Sequence, residues 1–143
     1  MAASTDKSYG IAWQREVGLN HTPAYQVSGI PFASGSINCV SGAVRVAFPY
    51  VTRWVEVKNH DINRSLKVAF SEAGLTGPEH FVIDANGGAP GHWAGTRPLE
   101  VKISEIWISG SGQADVIAGL TSISPGKTST EHGASWSGSS GVG

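Results

Sequence analysis

AVRVAFPYVTRWVEVK, residues 43–58, decides the fold class. Val44, Val46 and Phe48 alternate with Ala43, Arg45 and Ala47; then Val51, Arg53, Val55 and Val57 alternate with Thr52, Trp54, Glu56 and Lys58. A period of two sends successive side chains to opposite faces of a strand, and β-branched residues suit a pleated, half-buried surface. Pro49 has no N–H to give a ladder, so a bend or edge is expected there. The valines predict the inner face, which puts Trp54 outside together with Thr52, Glu56 and Lys58.

The same rhythm extends on both sides. Leu66, Val68 and Phe70 alternate with Lys67 and Ala69, and Phe81 and Ile83 share a face within residues 80–85. Leu99, Val101 and Ile103 alternate with Glu100, Lys102 and Ser104. After Glu105 the phase passes to Ile106 and Ile108, which predicts a bulge in one long strand. Residues 114–123 are nearly all apolar and read as a strand buried on both faces. Turn chemistry separates these runs: Asn59-His60-Asp61 with Asn63, Gly74, Gly77-Pro78, and a loop from Asn86 to Pro98. Ser109-Gly110-Ser111-Gly112 reads as a hairpin connection. No 3.6-residue period persists over a helical length, and the one helical candidate, Ser71 to Leu75, is very short.

The expectation is therefore an all-β chain: one β-sandwich or jelly-roll domain over residues 23–123, an N-terminal arm over 1–22 and a Gly/Ser-rich tail over 124–143. The predicted core is Val44, Val46, Phe48, Val55, Val57, Leu66, Val68, Phe70, Phe81, Ile83, Leu99, Val101, Ile103 and Leu120. The arm is polar apart from Trp13, and the tail, of linker-like composition, carries Trp136.

Composition limits the functional classes. The 143 residues suit one domain. Ten basic against eleven acidic side chains leave a formal charge of −1, which favours neither nucleic acid nor a membrane surface. Charged residues are only 15% of the chain, against roughly 25% in ordinary soluble domains. Such a surface suits a protein covered by neighbours, and the 19 glycines equally suit a turn-rich β protein. Cys39 is the single cysteine, so no intrachain disulfide is expected; its apolar setting reads as a buried small hydrophobe. The start lacks the apolar core of a signal peptide, and no segment has the length of a membrane span. The sequons at Asn20 and Asn63 then read as chance matches.

Motifs of catalysis do not assemble. No nucleophile elbow surrounds any serine. Gly110-Ser111-Gly112 lacks the third glycine and the strand–helix context of a dinucleotide fingerprint. His21, His60, His80, His92 and His132 are scattered without ligand spacing. Asp84-Ala85-Asn86-Gly87 opens like a calcium loop but has Gly88 at the third ligand position and no closing Glu. Glu56 and Glu100 fall on the solvent phase, and Glu105 reads as an acid exposed at the bulge. The sequence thus predicts neither enzyme activity, nor a metal, nor a cofactor.

Five tryptophans are the remaining signal. An outward Trp54 is either a subunit contact or a platform for a sugar ring, and the low charge favours the contact. Trp13 and Trp136 are expected contacts of the arm and tail. Trp93, in the Gly/Pro loop, is the expected sugar or partner contact.

Several stretches resemble small virion proteins of tailed phages and large DNA viruses. They are Ile11 to Phe32, with Gly18-Leu19-Asn20-His21 and Tyr25-Gln26-Val27-Ser28-Gly29-Ile30-Pro31-Phe32; Phe48-Pro49-Tyr50-Val51-Thr52-Arg53-Trp54; and Val57-Lys58-Asn59. Leu66 to Glu72, His80-Phe81-Val82-Ile83, Ile117-Ala118-Gly119-Leu120-Thr121 and Trp136-Ser137-Gly138 continue the likeness. The resemblance implies a β-sandwich structural component of a virion: a capsid cement or decoration protein, a minor capsid protein or a fibre-associated part. It implies partners that are copies of itself, as a trimer or higher, and a major capsid or other virion protein. It brings no catalytic residues. The alternative is a carbohydrate- or receptor-binding module of a virion fibre, with Trp93 and Trp54 stacking on sugar.

Overall fold

The computed structural model describes residues 17–26, 29–88, 94–131, 133, 135–136, 141 and 143. A four-residue helix α1 (Pro23–Gln26) precedes seven strands: β1 (Ile30–Ile37), β2 (Val44–Ala47), β3 (Thr52–Asn59), β4 (Leu66–Ala69), β5 (His80–Ile83), β6 (Glu105–Ser109) and β7 (Ala114–Leu120). A short helix α2 (Glu72–Thr76) joins β4 to β5, with the Ser71 hydroxyl capping the Gly74 N–H. The strands form two antiparallel sheets, in the orders β1-β7-β3 and β2-β6-β4-β5. The chain is thus mostly β, as the alternation predicts.

The free edge of β3 is met by an irregular segment, residues 94–99. Val55 and Leu99 exchange both backbone hydrogen bonds, at 3.0 and 2.8 Å, and Asn59 and Thr96 add bonds to Ala94 and Val57. Two pairs of successive strands, β4–β5 and β5–β6, share a sheet, and the second connection passes by way of residues 94–99 against β3 of the other sheet; every other connection crosses between sheets. The run Ser109-Gly110-Ser111-Gly112 therefore crosses between sheets and is no hairpin. Gly110 takes φ +100°, and a Cβ there would sit 2.8 Å from the Ser65 carbonyl oxygen. Glycine serves a tight arch as well as a hairpin, so composition alone does not separate them.

Both sheets contribute to one buried cluster. All fourteen predicted core residues lie in it or pack against it: Val44, Phe70, Phe81, Leu99 and Val101 are half-buried and the other nine are buried. Ile106, Ile108, Val116 and Cys39 complete it, and Phe32 meets Phe48 edge-on with ring centroids 4.9 Å apart. Burying each such side chain stabilises the fold by about 1.5–3 kcal/mol.

Two phase readings are corrected. In β3 the register slips between Thr52 and Trp54, which pair with the adjacent residues Leu120 and Gly119. The extra residue, Arg53, is a bulge, so Thr52 and not Arg53 joins Val55 and Val57 inside. The expected bulge near Glu105 is instead a change of sheet: Leu99 bridges to β3 and Ile106 belongs to β6. In β7, Asp115 and Ile117 are half-buried, so that strand is not covered fully on both faces.

Candidate functional site

The Val55–Leu99 pair sets the geometry of the outer surface beside it. With these two side chains inward, their flanking residues point outward, and Trp54, Glu56, Arg97, Pro98 and Glu100 line a shallow groove of about 500 Å³. On its other side Trp54 meets Gly119 of β7, its cross-strand partner. A Cβ on Gly119 would lie 2.8 Å from Trp54 Cε2 and closer still to Nε1. The pyrrole part of the indole therefore rests on bare backbone, and only glycine leaves room for it. Trp54 is half-buried, as an aromatic lying on a sheet with its outer side open would be. The side chains of Glu56, Arg97 and Glu100 make no hydrogen bond or ion pair with any described residue.

The outer face of the second sheet is arranged differently. Trp107 stands opposite both Arg45 and Ala69. Its indole N–H donates to Glu105 Oε2, while Arg45 Nε and Nη2 each lie 2.9 Å from Glu105 Oε1. The Glu105 side chain is 6% exposed and that of Arg45 49%. Glu105 is therefore not the exposed acid expected from the sequence. Arg45 comes from a strand 60 residues away, and nothing local announces its cover.

A third cluster ties together the loops at one end. Asn59, fully buried, donates through Nδ2 to the carbonyl oxygens of Arg64 (2.8 Å) and Asp84 (3.0 Å). Its Oδ1 accepts from the Asp61 N–H (3.1 Å) and the Ser111 hydroxyl (2.8 Å). The Asp61 carboxylate accepts from the backbone N–H groups of Asn63, Arg64 and Gly112. These bonds, Asn63 and Gly112 foremost, hold its carboxyl below the ordinary value. Cys39 donates from Sγ to the Ser111 carbonyl oxygen, and burial pushes its thiol up. Val40 and Ile62 stay exposed at this end, at 44% and 56%. The Asp84-Ala85-Asn86 stretch is irregular backbone leading into a turn at Gly87-Gly88, both at positive φ.

Of the tryptophans singled out in the sequence, Trp54 faces outward as expected. Trp136 packs against its own domain's core cluster, and its indole N–H donates to the Lys102 carbonyl oxygen. Lys102 also sets its ammonium 4.8 Å from the centre of the Tyr25 ring, so Tyr25 and Trp136 are both tied to this one residue. Trp13 and Trp93 lie outside the described residues, as do His92 and His132. His60 pairs with Asp115 at 2.8 Å, and Asp115 also accepts the Ser36 N–H, holding a bulge in β1. Among the described residues no three of His, Cys, Asp and Glu converge as metal ligands would.

No family model, no curated protein and no solved structure matches the chain.

Proposed function

We propose that the chain is a non-enzymatic structural component of a virion, a capsid cement, decoration or minor capsid protein that stabilises the particle by packing against neighbouring subunits. The observation that carries this reading is the strand order. With residues 94–99 counted as an eighth strand, the orders become β1-β7-β3-(94–99) and β2-β6-β4-β5. That order supports reading the fold as a jelly-roll sandwich, an architecture used by viral capsid and lectin domains. Fold alone does not assign function, so the reading also draws on the low surface charge and on where the ends lie. The start of β1 and the end of β7 pair, Ile30 with Leu120, so both extensions leave from the same end. The opposite end presents Val40 and Ile62 on loops cross-tied through Asn59, Asp61 and Ser111.

On this reading the neighbours are copies of the chain and a larger capsid protein. Each docking arm removes apolar area from water at roughly 25 cal/mol per Å². Repetition over a lattice then makes modest contacts durable. Light scattering of the full chain, with and without residues 1–22, tests the proposal. The full chain is expected to run as a trimer or larger and the truncated chain to dissociate. A full chain that stays monomeric, or an assembly unaffected by the deletion, contradicts the arm-mediated reading.

A further inference from the structure

We infer that the groove beside Trp54 is a binding site for a neutral hexopyranose, with the indole as the stacking platform and Glu56, Arg97 and Glu100 as its polar rim. This inference does not depend on the virion reading, because it rests on the chemistry of the groove alone. A pyranose of glucose or galactose type presents axial C–H groups on one face and hydroxyls around its edge. Such a ligand needs a flat aromatic surface flanked by acceptors and a donor. Trp54 supplies the surface, and its pyrrole atoms are seated against Gly119, where any side chain would collide with them. Pro98 extends the apolar wall. The two carboxylates accept hydroxyl hydrogens, and the Arg97 guanidinium donates to a hydroxyl or ring oxygen.

The lack of internal partners decides between a sugar and a second protein surface. Glu56, Arg97 and Glu100 all line the groove, and their side chains have no hydrogen bond or ion pair to a described residue. A protein face closing over them would strip water from three charges and would have to bring matching counter-charges in register. A sugar satisfies carboxylate and guanidinium alike through hydroxyls, and leaves the outer side of the groove wet. Two acids against one base also select against anionic sugars. The groove volume of about 500 Å³ lies within the range of small-molecule sites.

The test uses the full chain and NMR titration with lactose, cellobiose and N,N′-diacetylchitobiose, with 3′-sialyllactose as the anionic control. At least one neutral disaccharide is expected to shift the Trp54 indole resonance saturably, while sialyllactose does not. Arg97→Ala and Glu100→Gln remove rim groups without disturbing the core, and each is expected to weaken binding about tenfold, one hydrogen-bonded contact's worth. Trp54→Phe keeps a smaller platform and is expected to bind more weakly than wild type, and Trp54→Ala not to bind at all. If folded wild-type protein shows no saturable shift with any of the three neutral sugars, the inference is overturned. It is equally overturned if binding survives Trp54→Ala, or if sialyllactose binds as well as lactose. Dissociation of the assembly by Trp54→Ala, when the wild-type protein shows no saturable shift with any of the sugars, would assign the groove to a subunit contact instead.

Discussion

Trp107 and Trp54 stand on the outer faces of the two sheets, and their surroundings differ in one respect. Around Trp107 the nearest charges hold each other: Glu105 is covered by Arg45 and bonded to the indole N–H. Around Trp54 the charges of Glu56, Arg97 and Glu100 point into a groove and meet no described partner. An outward tryptophan on a strand is therefore no site in itself. What separates a structural corner from a binding surface is whether the neighbouring polar groups already hold each other.

The contrast breaks most visibly at Glu105. Glu105→Ala leaves the Arg45 guanidinium and the Trp107 N–H without their shared acceptor, and should lower stability by about 2 kcal/mol in urea unfolding. The half-exposed Arg45 can turn to water, so the loss falls short of that for a fully buried pair. Gly119→Ala attacks the other tryptophan from beneath. The added Cβ must lift the indole from the sheet, with an expected loss of about 1–2 kcal/mol and a shifted Trp54 indole resonance.

A pH titration sharpens the distinction between engaged and free acids. Asp61 has its carboxyl lowered by backbone N–H donors, so the folded state binds its proton less readily than the unfolded chain does. Its contribution to stability is complete above about pH 4 and is lost as the pH falls through the lowered value. Thermal melts between pH 6 and 3 should show a steeper acid loss in wild type than in Asp61→Asn. The smallest effect belongs to the groove. Glu56→Gln and Glu100→Gln should each change stability by less than about 0.5 kcal/mol, since neither acid is engaged. A loss as large as that of Glu105→Ala would erase the contrast.

The core was legible because period-two alternation of Val, Leu, Ile and Phe is a direct image of two faces. Val55 and Val57, for example, are both fully buried. Three features were not legible, each for a physical reason. The bulge at Arg53 adds one residue to β3 opposite none in β7, and only the partner strand reveals it. Glu105 depends on an arginine 60 residues distant for its cover. The Ser/Gly/Thr composition of the tail says linker, but Thr128 is buried against Ser104 and Trp136 against the core. The groove itself was half visible. The alternation places Trp54, Glu56 and Glu100 outward, but their meeting requires the pairing of Val55 with Leu99 across 44 residues.

That pairing bears both the strand order behind the functional reading and the walls of the groove. Residue-resolved amide exchange of the full chain in solution tests it directly. The Val55 and Leu99 amides, which donate to each other's carbonyls, should exchange slowly and together. A Leu99 amide that exchanges as freely as an open loop, while the amides joining β3 to β7 stay protected, would end the sheet at β3. The eighth strand and the groove would then both be lost.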